Sequence, residues 1–175
     1  MCGIVGYVGS GEATPFLIEG LTKLEYRGYD SAGSAVFNGT DVVIEKSVGR
    51  LSSLEQKIES NMPVGQLGIG HTRWATHGRP SDRNSHPHSD CTGNFVVVHN
   101  GIIENYLQLK EDLIAKGHEF LSETDTEVVA HLVEELYDGD LQSTVKKVLK
   151  KIEGSYSLVF MSKHDTDQLI CMKQD

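Results

Sequence analysis

The amino-acid sequence predicts an α+β protein with antiparallel sheets, and two observations support this prediction. Segments with strand character occur in hairpins and adjacent pairs, and segments with helical periodicity are grouped between them. Strict alternation of strands and helices is typical of parallel, doubly wound sheets, so its absence favours antiparallel pairing. The length of 175 residues is that of one domain with a substantial hydrophobic core.

The chain begins with a predicted strand and a predicted helix. Residues 4–8 form an apolar run typical of a buried strand. Thr14 followed by Pro15 resembles a helix N-cap and first helical position. We therefore expect a helix that ends near Tyr26.

A hairpin and a short helix are predicted next. The strand-like segments 32–37 and 42–46 flank Asn38-Gly39, a pair typical of hairpin turns. Ser52 with Glu55 matches a capping box, in which the two side chains satisfy backbone N–H groups at the start of a helix. A short helix is therefore expected from this point.

The middle of the chain contains a long polar segment between two predicted strands. Residues 67–72 and 95–99 have strand character, and 73–93 is irregular and rich in His, Ser, Asp and Asn. Loops of this length in compact domains are usually functional or disordered, and the histidines and the tryptophan indicate an ordered site. Asn100-Gly101 predicts a turn at the end of the second strand.

Helices dominate the predicted structure that follows. Helical periodicity covers 104–116, and Thr124 with Glu127 matches a second capping box, which would place Asp125 in the first turn of a helix. The remaining predicted elements are a helix at 141–152 and strands at 156–161 and 168–172.

Composition excludes several classes of protein. The net charge of −9 argues against a nucleic-acid partner, since phosphate binding needs a basic surface. No apolar stretch has the length of a membrane span, and the amino terminus lacks the pattern of a signal peptide. Cys2, Cys91 and Cys171 are an odd set without regular spacing, so a disulfide framework is not expected. These features predict a cytoplasmic location.

Cys2 is the first candidate catalytic residue. If Met1 is removed, this residue carries a thiol and a free α-amino group on one Cα. The reference pKa of the amine is near 8 and that of the thiol near 8.5, so the amine can take the thiol proton at neutral pH. Nucleophile and general base would then be one residue.

Three further polar segments lie where predicted strands end or helices start. They are 71–78, 98–105 and 122–127, with the sequences HTRWATHG, VHNGIIEN and SETDTE. Residues at such positions are often used to build sites on a rigid scaffold. We therefore expect the three segments to surround Cys2.

With these motifs and the segment LEYRGYDSAG at 24–33, the chain resembles class II glutamine amidotransferases. It is most similar to the glutaminase domains of glutamine–fructose-6-phosphate aminotransferases, which supply ammonia for glucosamine 6-phosphate synthesis. The resemblance implies a four-layer αββα sandwich of the N-terminal nucleophile hydrolase type, with two antiparallel sheets. It also implies that 1–175 is a glutaminase domain shortened at its carboxyl-terminal side. The sugar-isomerase domain would be absent, and the full-length enzyme would be a homodimer.

The resemblance assigns the catalytic residues. Cys2 would attack the side-chain amide of L-glutamine and form a glutamyl thioester, which water then hydrolyses. The Asn100 side chain and the Gly101 backbone N–H would form the oxyanion hole, where one donor can contribute roughly 3–4 kcal/mol. No cofactor is implied by this chemistry.

The resemblance also assigns residues that bind the rest of the substrate. Arg73 would bind the substrate α-carboxylate through its bidentate guanidinium, and Asp125 would accept hydrogen bonds from the α-ammonium group. The same pocket would be lined by Thr76 and His77. Supporting or gating positions are implied for Trp74, Arg27 and His86.

Three alternatives stay open on the sequence alone. The glutaminase of an amidophosphoribosyltransferase shares the chemistry, but the segment 25–33 argues against it. A catalytically silent glutamine sensor would keep Arg73 and Asp125 without needing Cys2. A zinc protein could use the histidines, but His86-Pro87-His88 gives no helical i,i+4 pair, so no metal site is predicted. The histidines considered for it are His71, His77, His86 and His88.

Overall fold

The structure, a computed structural model, describes residues 2–75 and 77–174. Within these residues the chain forms two four-stranded antiparallel sheets. The first sheet has the order β1-β4-β2-β3 and consists of β1 (Gly3–Val8), β2 (Ser31–Phe37), β3 (Val42–Val48) and β4 (Leu67–Arg73). The second has the order β5-β6-β7-β8 and consists of β5 (His88–Ser89), β6 (Phe95–Ile103), β7 (Gly154–Ser162) and β8 (Ile170–Gln174).

Five α-helices cover the outer faces of the two sheets in the described part of the chain. They are α1 (Ala13–Leu24), α2 (Leu51–Glu59), α3 (Tyr106–Ala115), α4 (Glu127–Leu136) and α5 (Leu141–Val148). α1 and α2 pack on the first sheet, and α4 and α5 pack on the second, with α3 against α4. The α+β class and the four-layer αββα arrangement are therefore confirmed.

The core between the sheets is built by side-chain alternation within strands. On β6, Val96 and Val98 face the first sheet, whereas Phe95 and Val97 pack in the cluster beneath the helices. Because successive side chains of a strand point to opposite faces, a strand buried on both faces is apolar throughout. This explains why 95–98 has no polar position.

The predicted hairpin is confirmed. β2 and β3 pair antiparallel from Ser31↔Val48 to Phe37↔Val42. The Asn38 side chain closes the connection by accepting hydrogen bonds from the backbone N–H groups of Thr40 and Asp41, at 3.0 and 2.9 Å.

The sequence predicted the N-terminal ends of two helices at Thr14 and Ser52, and both positions are wrong in detail. α1 begins at Ala13, and the Thr14 hydroxyl donates to the carbonyl of Pro63 at 2.5 Å instead of capping the helix. The N-cap position of α2 is Arg50, and within the described residues no side chain caps that helix. Burial of the apolar faces of both helices against the first sheet offsets the missing caps.

The predicted turn at Asn100-Gly101 is also wrong, because β6 continues through both residues to Ile103. Their pairing partners on β7 are Ser157 and Tyr156. Gly101 has a φ of 130°, and a Cβ there would lie 2.1 Å from the carbonyl oxygen of Ser155. Glycine is therefore needed for the close strand approach and not for a turn.

Asp125 lies two residues before α4 and not in its first turn. The predicted capping box is absent, since the hydroxyl of Thr124 contacts His88 Nε2 at 3.1 Å and Ser122 Oγ at 2.9 Å. The Glu127 carboxylate accepts from the backbone N–H of Ser122 at 2.6 Å. The segment 122–125 is therefore held by the contact of Thr124 with His88 of the long loop and by the Glu127 carboxylate, and not by a helix cap.

The long loop after β4 is a packed part of the fold in its described residues. Asn84, Ser85, His86 and His88 are buried, and β5 pairs with β6 through His88↔Val97. None of the described helices has the length and apolar content needed to cross a lipid bilayer.

Candidate active site

A cavity of about 280 Å³ opens where the ends of β1, β4 and β6 meet the segment before α4. This volume is near the lower end of ligand pockets, which are about 300–1,000 Å³, and suits a molecule of amino-acid size. Its lining residues are Cys2, Arg73, Trp74, His77, His86, His99, Gly101, Ile102, Thr124, Asp125 and Thr126. The three segments selected from the sequence therefore surround Cys2.

The Cys2 thiol lies beside the end of β4. Because Gly3 pairs with Thr72, the residue before β1 faces the chain as it leaves β4. The Trp74 backbone N–H donates to Cys2 Sγ at 3.1 Å, and the thiol is 3.6 Å from the Trp74 carbonyl oxygen. The Cys2 sulfur is thus held against the backbone of Trp74.

His71 determines which way the Asn100 amide faces. His71 Nε2 lies 2.8 Å from Asn100 Oδ1 and 3.0 Å from the His99 carbonyl oxygen. Both partners only accept hydrogen bonds, so Nε2 carries the proton. Asn100 Nδ2 consequently points to the Cys2 side of the site and lies 3.4 Å from the Cys2 carbonyl oxygen.

His71 is part of a group of three packed histidines, which also contains His86 and His88. The ring centroids are 4.2 Å apart for His71 and His86, and 4.7 Å apart for His86 and His88. Burial lowers the pKa of His71 to about 4 and holds the pKa values of His86 and His88 well below the usual range. The three rings are therefore neutral at pH 7, and His71 can donate to Asn100 without adding charge.

Arg73 is the last residue of β4, and its side chain is 4% exposed. Nη2 donates to the carbonyls of His77 and Gly78, which fixes the guanidinium. Nη1 has no hydrogen-bond partner among the described residues, and its neighbour Asp30 Oδ1 is 4.0 Å away. Buried donors are nearly always paired, so this atom indicates a site for an anionic ligand group.

Asp125 contributes a carboxylate to the same cavity. Its Oδ2 accepts from the Ile103 backbone N–H at 2.8 Å and lies 3.9 Å from His99 Nδ1. His99 Nδ1 is itself 2.8 Å from Thr126 Oγ1. The Asp125 side chain is thus oriented by the end of β6. Its carboxylate lies in the same cavity as the Arg73 guanidinium.

The other predicted residues are placed as follows. His77 lines the cavity, and its Nδ1 has no partner in the described residues. Trp74 also lines it and is 56% exposed, so it is not a core residue. Arg27 lies in a 3₁₀ turn at Glu25–Arg27 and does not line the cavity. Thr76 lies outside the described residues.

Sequence reasoning missed two residues that position the site. Asp30 accepts from the Ala75 backbone N–H at 2.5 Å, and its own N–H donates to the Arg73 carbonyl at 2.7 Å. His71 was considered only as a metal ligand. His71 lies on β4 of the first sheet and Asn100 on β6 of the second, so their contact depends on how the two sheets stack. Sequence patterns do not show that stacking.

The cavity therefore combines the Cys2 thiol with the side chains of Arg73 and Asp125. Asn100 is not among its lining residues, and its amide lies next to Cys2, with Nδ2 3.4 Å from the Cys2 carbonyl oxygen. A zwitterionic amino-acid head group needs such a cation and anion pair. A side-chain carbonyl at the thiol would meet a nucleophile and a donor for the developing negative charge.

Comparison with known proteins gives one matching family and several close relatives. A family model described as a glutamine amidotransferase domain matches residues 71–175. The glutamine–fructose-6-phosphate aminotransferases [isomerizing] of Caldanaerobacter subterraneus subsp. tengcongensis and Clostridium acetobutylicum are each 55% identical over 175 residues. The matches cover all of this chain and 29% of each relative, so the chain spans less than a third of their length.

Solved structures share the fold at lower identity. The glutamine phosphoribosylpyrophosphate amidotransferase of B. subtilis, complexed with ADP and GMP, is 30% identical with a TM-score of 0.78. That match covers 93% of this chain and 35% of the other. A glutamine aminotransferase class-II domain protein of Silicibacter pomeroyi, with 17% identity and a TM-score of 0.56, is similar in fold alone.

Proposed function

The chain belongs to the glutamine amidotransferase domain family, and from this premise we propose that it hydrolyses the side-chain amide of L-glutamine at Cys2. The observation that carries the proposal is the buried Arg73 Nη1, which has no hydrogen-bond partner among the described residues, in a residue that lines the same cavity as Cys2. A cavity that only sensed an amino acid would not need a thiol with a donor at its sulfur. In this proposal 1–175 is the glutaminase domain.

The reaction starts once Met1 has been removed. The Cys2 α-amino group takes the thiol proton, and the thiolate attacks the amide carbon of glutamine. The Trp74 backbone N–H lies 3.1 Å from Sγ and so contacts the attacking atom. Collapse of the tetrahedral intermediate breaks the C–N bond, the ammonium of Cys2 protonates the leaving amine, and ammonia departs from a glutamyl thioester. Water then attacks the thioester and releases glutamate.

Negative charge develops on the former amide oxygen in both steps. Asn100 Nδ2 is proposed as one donor to it, and the orientation set by His71 supports this role. The Gly101 N–H is proposed as the other. Donors fixed before the reaction cost no reorganisation during it, which is why such sites are effective.

Selection of glutamine rests on the two fixed charges. Arg73 is proposed to bind the α-carboxylate through Nη1, and Asp125 to accept from the α-ammonium. His77 would line the same pocket, with the exposed Trp74 as a gate. Arg27 and His86 would support the site from behind; the contact of His86 with the backbone N–H of His99, at 3.3 Å, agrees with that role.

For the whole enzyme we propose the activity named in its 55% identical relatives. Ammonia released at Cys2 would then aminate fructose 6-phosphate on a sugar-isomerase domain outside this chain and yield glucosamine 6-phosphate. The relatives extend well beyond the matched region, which agrees with such a further domain. The chain is only 30% identical to the phosphoribosylpyrophosphate amidotransferase, compared with 55% for these relatives, which favours the aminotransferase activity. We further propose a homodimeric, cytoplasmic enzyme that needs no cofactor for the glutaminase step.

The test is a glutaminase assay on the 175-residue chain whose intact mass shows loss of Met1. We expect glutamate and ammonia in equal amounts, and no amino sugar when fructose 6-phosphate is added. Absence of glutamate release from folded, processed chain would refute the proposed hydrolysis. Formation of glucosamine 6-phosphate by this chain alone would refute the domain assignment.

A further inference from the structure

A second polar cluster lies away from the cavity, between the loop before β6, the turn after α3 and helix α4. We call it the Cys91 cluster; it consists of Cys91, His118, His131 and Glu134. One ligand atom from each residue lies within 4.8 Å of all the others. Among the described residues this is the one group of three or more such side chains that converges in this way. It uses none of the histidines that the sequence suggested as zinc ligands.

Four of the six distances between the ligand atoms are close to those of a tetrahedral zinc site, and all six are within 4.8 Å. Cys91 Sγ lies 3.5 Å from His131 Nδ1 and 3.8 Å from His118 Nδ1. Glu134 Oε2 lies 3.5 Å from His131 Nδ1 and 3.0 Å from His118 Nδ1. Tetrahedral zinc with bonds of about 2.0 Å to nitrogen or oxygen and 2.3 Å to sulfur has ligand–ligand distances of roughly 3.3–3.8 Å. The cluster therefore needs only small shifts to close on one ion.

Both imidazoles have a carboxylate behind them. His118 Nε2 lies 3.3 Å from Glu135 Oε2, and His131 Nε2 lies 3.6 Å from Glu127 Oε1. Histidine ligands of metals usually donate their other N–H to a carboxylate, which fixes the tautomer that leaves Nδ1 free. The Glu127 carboxylate is itself held by the hydroxyl and the backbone N–H of Ser122, both 2.6 Å from Oε2, and by the backbone N–H of Leu121, 2.7 Å from Oε1.

The local fold brings the four ligands together. His131 and Glu134 are three residues apart on α4 and so lie on one face of the helix. After α3, Gly117 at a φ of 97° lets the N–H of His118 return to the Leu113 carbonyl at 3.1 Å. This helix-ending turn aims the His118 ring at α4. Cys91 is exposed and borders a cavity that reaches His131, which provides an entry path for an ion.

Histidine–carboxylate ion pairs alone explain only part of this arrangement. They account for the contacts of His118 with Glu134 and Glu135, but not for a sulfur within 3.8 Å of two Nδ1 atoms. A cation at the centre of the four atoms would satisfy all of them at once.

We propose that the Cys91 cluster binds one Zn²⁺ ion through Cys91 Sγ, His118 Nδ1, His131 Nδ1 and Glu134 Oε2. Four protein ligands and no open position define a structural site and not a catalytic one. A thiolate with two imidazoles selects zinc over magnesium or calcium, which prefer oxygen ligands only. Binding displaces the thiol proton, and any proton on either Nδ1, to solvent; no electron is transferred.

Such an ion would connect the loop before β6 and the end of α3 to α4. The connection matters for the active site because Glu127, behind His131, also holds the backbone of Leu121 and Ser122 at 2.7 and 2.6 Å. That segment continues to Thr124 and Asp125 in the cavity wall. The zinc site is thus a support for one wall of the cavity, although its binding test does not depend on glutaminase activity.

The experiment is titration of metal-free chain with ZnCl₂ and, separately, with CoCl₂. We expect one ion per chain, a rise in Tm of at least about 5 °C at saturating zinc, and a thiolate-to-cobalt charge-transfer band in the near ultraviolet. Cys91→Ser should abolish that band, and His131→Asn should lower zinc affinity by at least about 10-fold, since even the loss of a partner that only orients a ligand typically costs roughly 10–100-fold. The matched controls Cys171→Ser and His164→Asn should bind zinc as the unmodified chain does.

A second measurement needs no variant and so is independent of whether the variants fold. Alkylation of the native chain should label Cys91 slowly when zinc is present and quickly after a chelator is added, while Cys171 reacts alike in both. No saturable zinc binding, a cobalt spectrum unchanged by Cys91→Ser, or a Cys91 alkylation rate that is insensitive to zinc would overturn the proposal.

Discussion

Cys2 and Cys91 have similar backbone contacts at sulfur but different side chains around them. Each sulfur accepts from one backbone N–H and lies near the carbonyl oxygen of the same residue: Trp74 at 3.1 and 3.6 Å for Cys2, and Glu119 at 3.4 and 3.9 Å for Cys91. Cys2 shares its cavity with Arg73 and Asp125, whereas the Cys91 sulfur has two imidazole Nδ1 atoms within 3.8 Å and the Glu134 carboxylate next to both of them. An arginine and an aspartate suit an amino-acid head group, and two imidazoles with a carboxylate around a thiol suit a metal ion. The side chains around a thiol, and not its backbone contacts, therefore separate the proposed nucleophile from the proposed metal ligand.

The largest expected effect distinguishes the proposed nucleophile from a surface thiol. Cys2→Ser should lower kcat for glutamine hydrolysis by at least about 10⁴-fold, because a hydroxyl is a far weaker nucleophile at neutral pH. Cys171→Ser, at an exposed thiol on β8, should leave kcat within about 2-fold, as expected for surface changes. Steady-state kinetics on both variants, with matched Met1 removal, checks this. Equal losses in the two variants would show that Cys2 has no special role.

The next effect concerns the donors on the Cys2 side. Asn100→Ala should lower kcat by about 10²–10³-fold with little change in KM, the range for losing one oxyanion donor. His71→Phe should have a smaller effect in the same direction, about 10-fold, since it releases the Asn100 amide without removing it.

The double variant provides the control for that prediction. If His71 acts through Asn100, the combined loss should be close to that of Asn100→Ala alone, as expected for groups that work as a unit. Fully additive losses, or a His71→Phe effect mainly on KM, would contradict the positioning role of His71.

The two charged residues of the cavity, Arg73 and Asp125, should have the next smaller effect. Arg73→Lys and Asp125→Asn should each lower kcat/KM for glutamine by roughly 30-fold or more, which corresponds to a cost of about 2 kcal/mol. Asp125→Asn keeps an oxygen for the Ile103 N–H and therefore separates charge from structure. Asp167→Asn, at an exposed position, is the matched control. Near-normal kinetics in both cavity variants, with Cys2 intact, would contradict the binding roles.

The sequence predicted the composition of the site better than its local geometry. Paired strand segments and grouped helices led to the correct fold class, and three polar segments did converge on Cys2. The end of β6 was predicted wrongly because Asn-Gly is read as a turn when the β7 partner is not known. Asp125 was misplaced because Thr124 forms tertiary contacts instead of a cap.

The Cys91 cluster could not be predicted for a related reason. Its four residues are spread from 91 to 134, and only the packing of α3 on α4 and the loop brings them together. Single-sequence patterns detect ligands at regular spacing, such as helical i,i+4 pairs, and miss those that come from separate elements.

A smaller effect is expected from the three packed histidines. His71 has a pKa of about 4 in the folded chain, below its value of about 6.5 in the unfolded chain. The unfolded chain therefore binds more protons below about pH 6.5, and stability falls as the pH decreases towards 4. The contribution of His71 is on the order of 3 kcal/mol between those limits. His86 and His88 act in the same direction.

Urea unfolding of the unmodified chain and of His71→Phe between pH 7 and 5 checks this prediction, because most carboxylates do not titrate there. The unmodified chain should lose stability more steeply with acid than the variant does. Identical pH dependence in the two chains would mean that His71 is not held neutral by burial.

The most direct test of the central claim is to locate the reactive thiol. Processed chain without Met1, treated with a glutamine analogue that carries an electrophile at the side-chain carbonyl, should be labelled at Cys2, and glutamine should protect against labelling. Reactivity follows thiolate character and access, and Cys2 alone carries its own amino base. Peptide mapping that finds the label chiefly on Cys91 or Cys171, or full glutaminase activity in chain proven to retain Met1, would contradict the account.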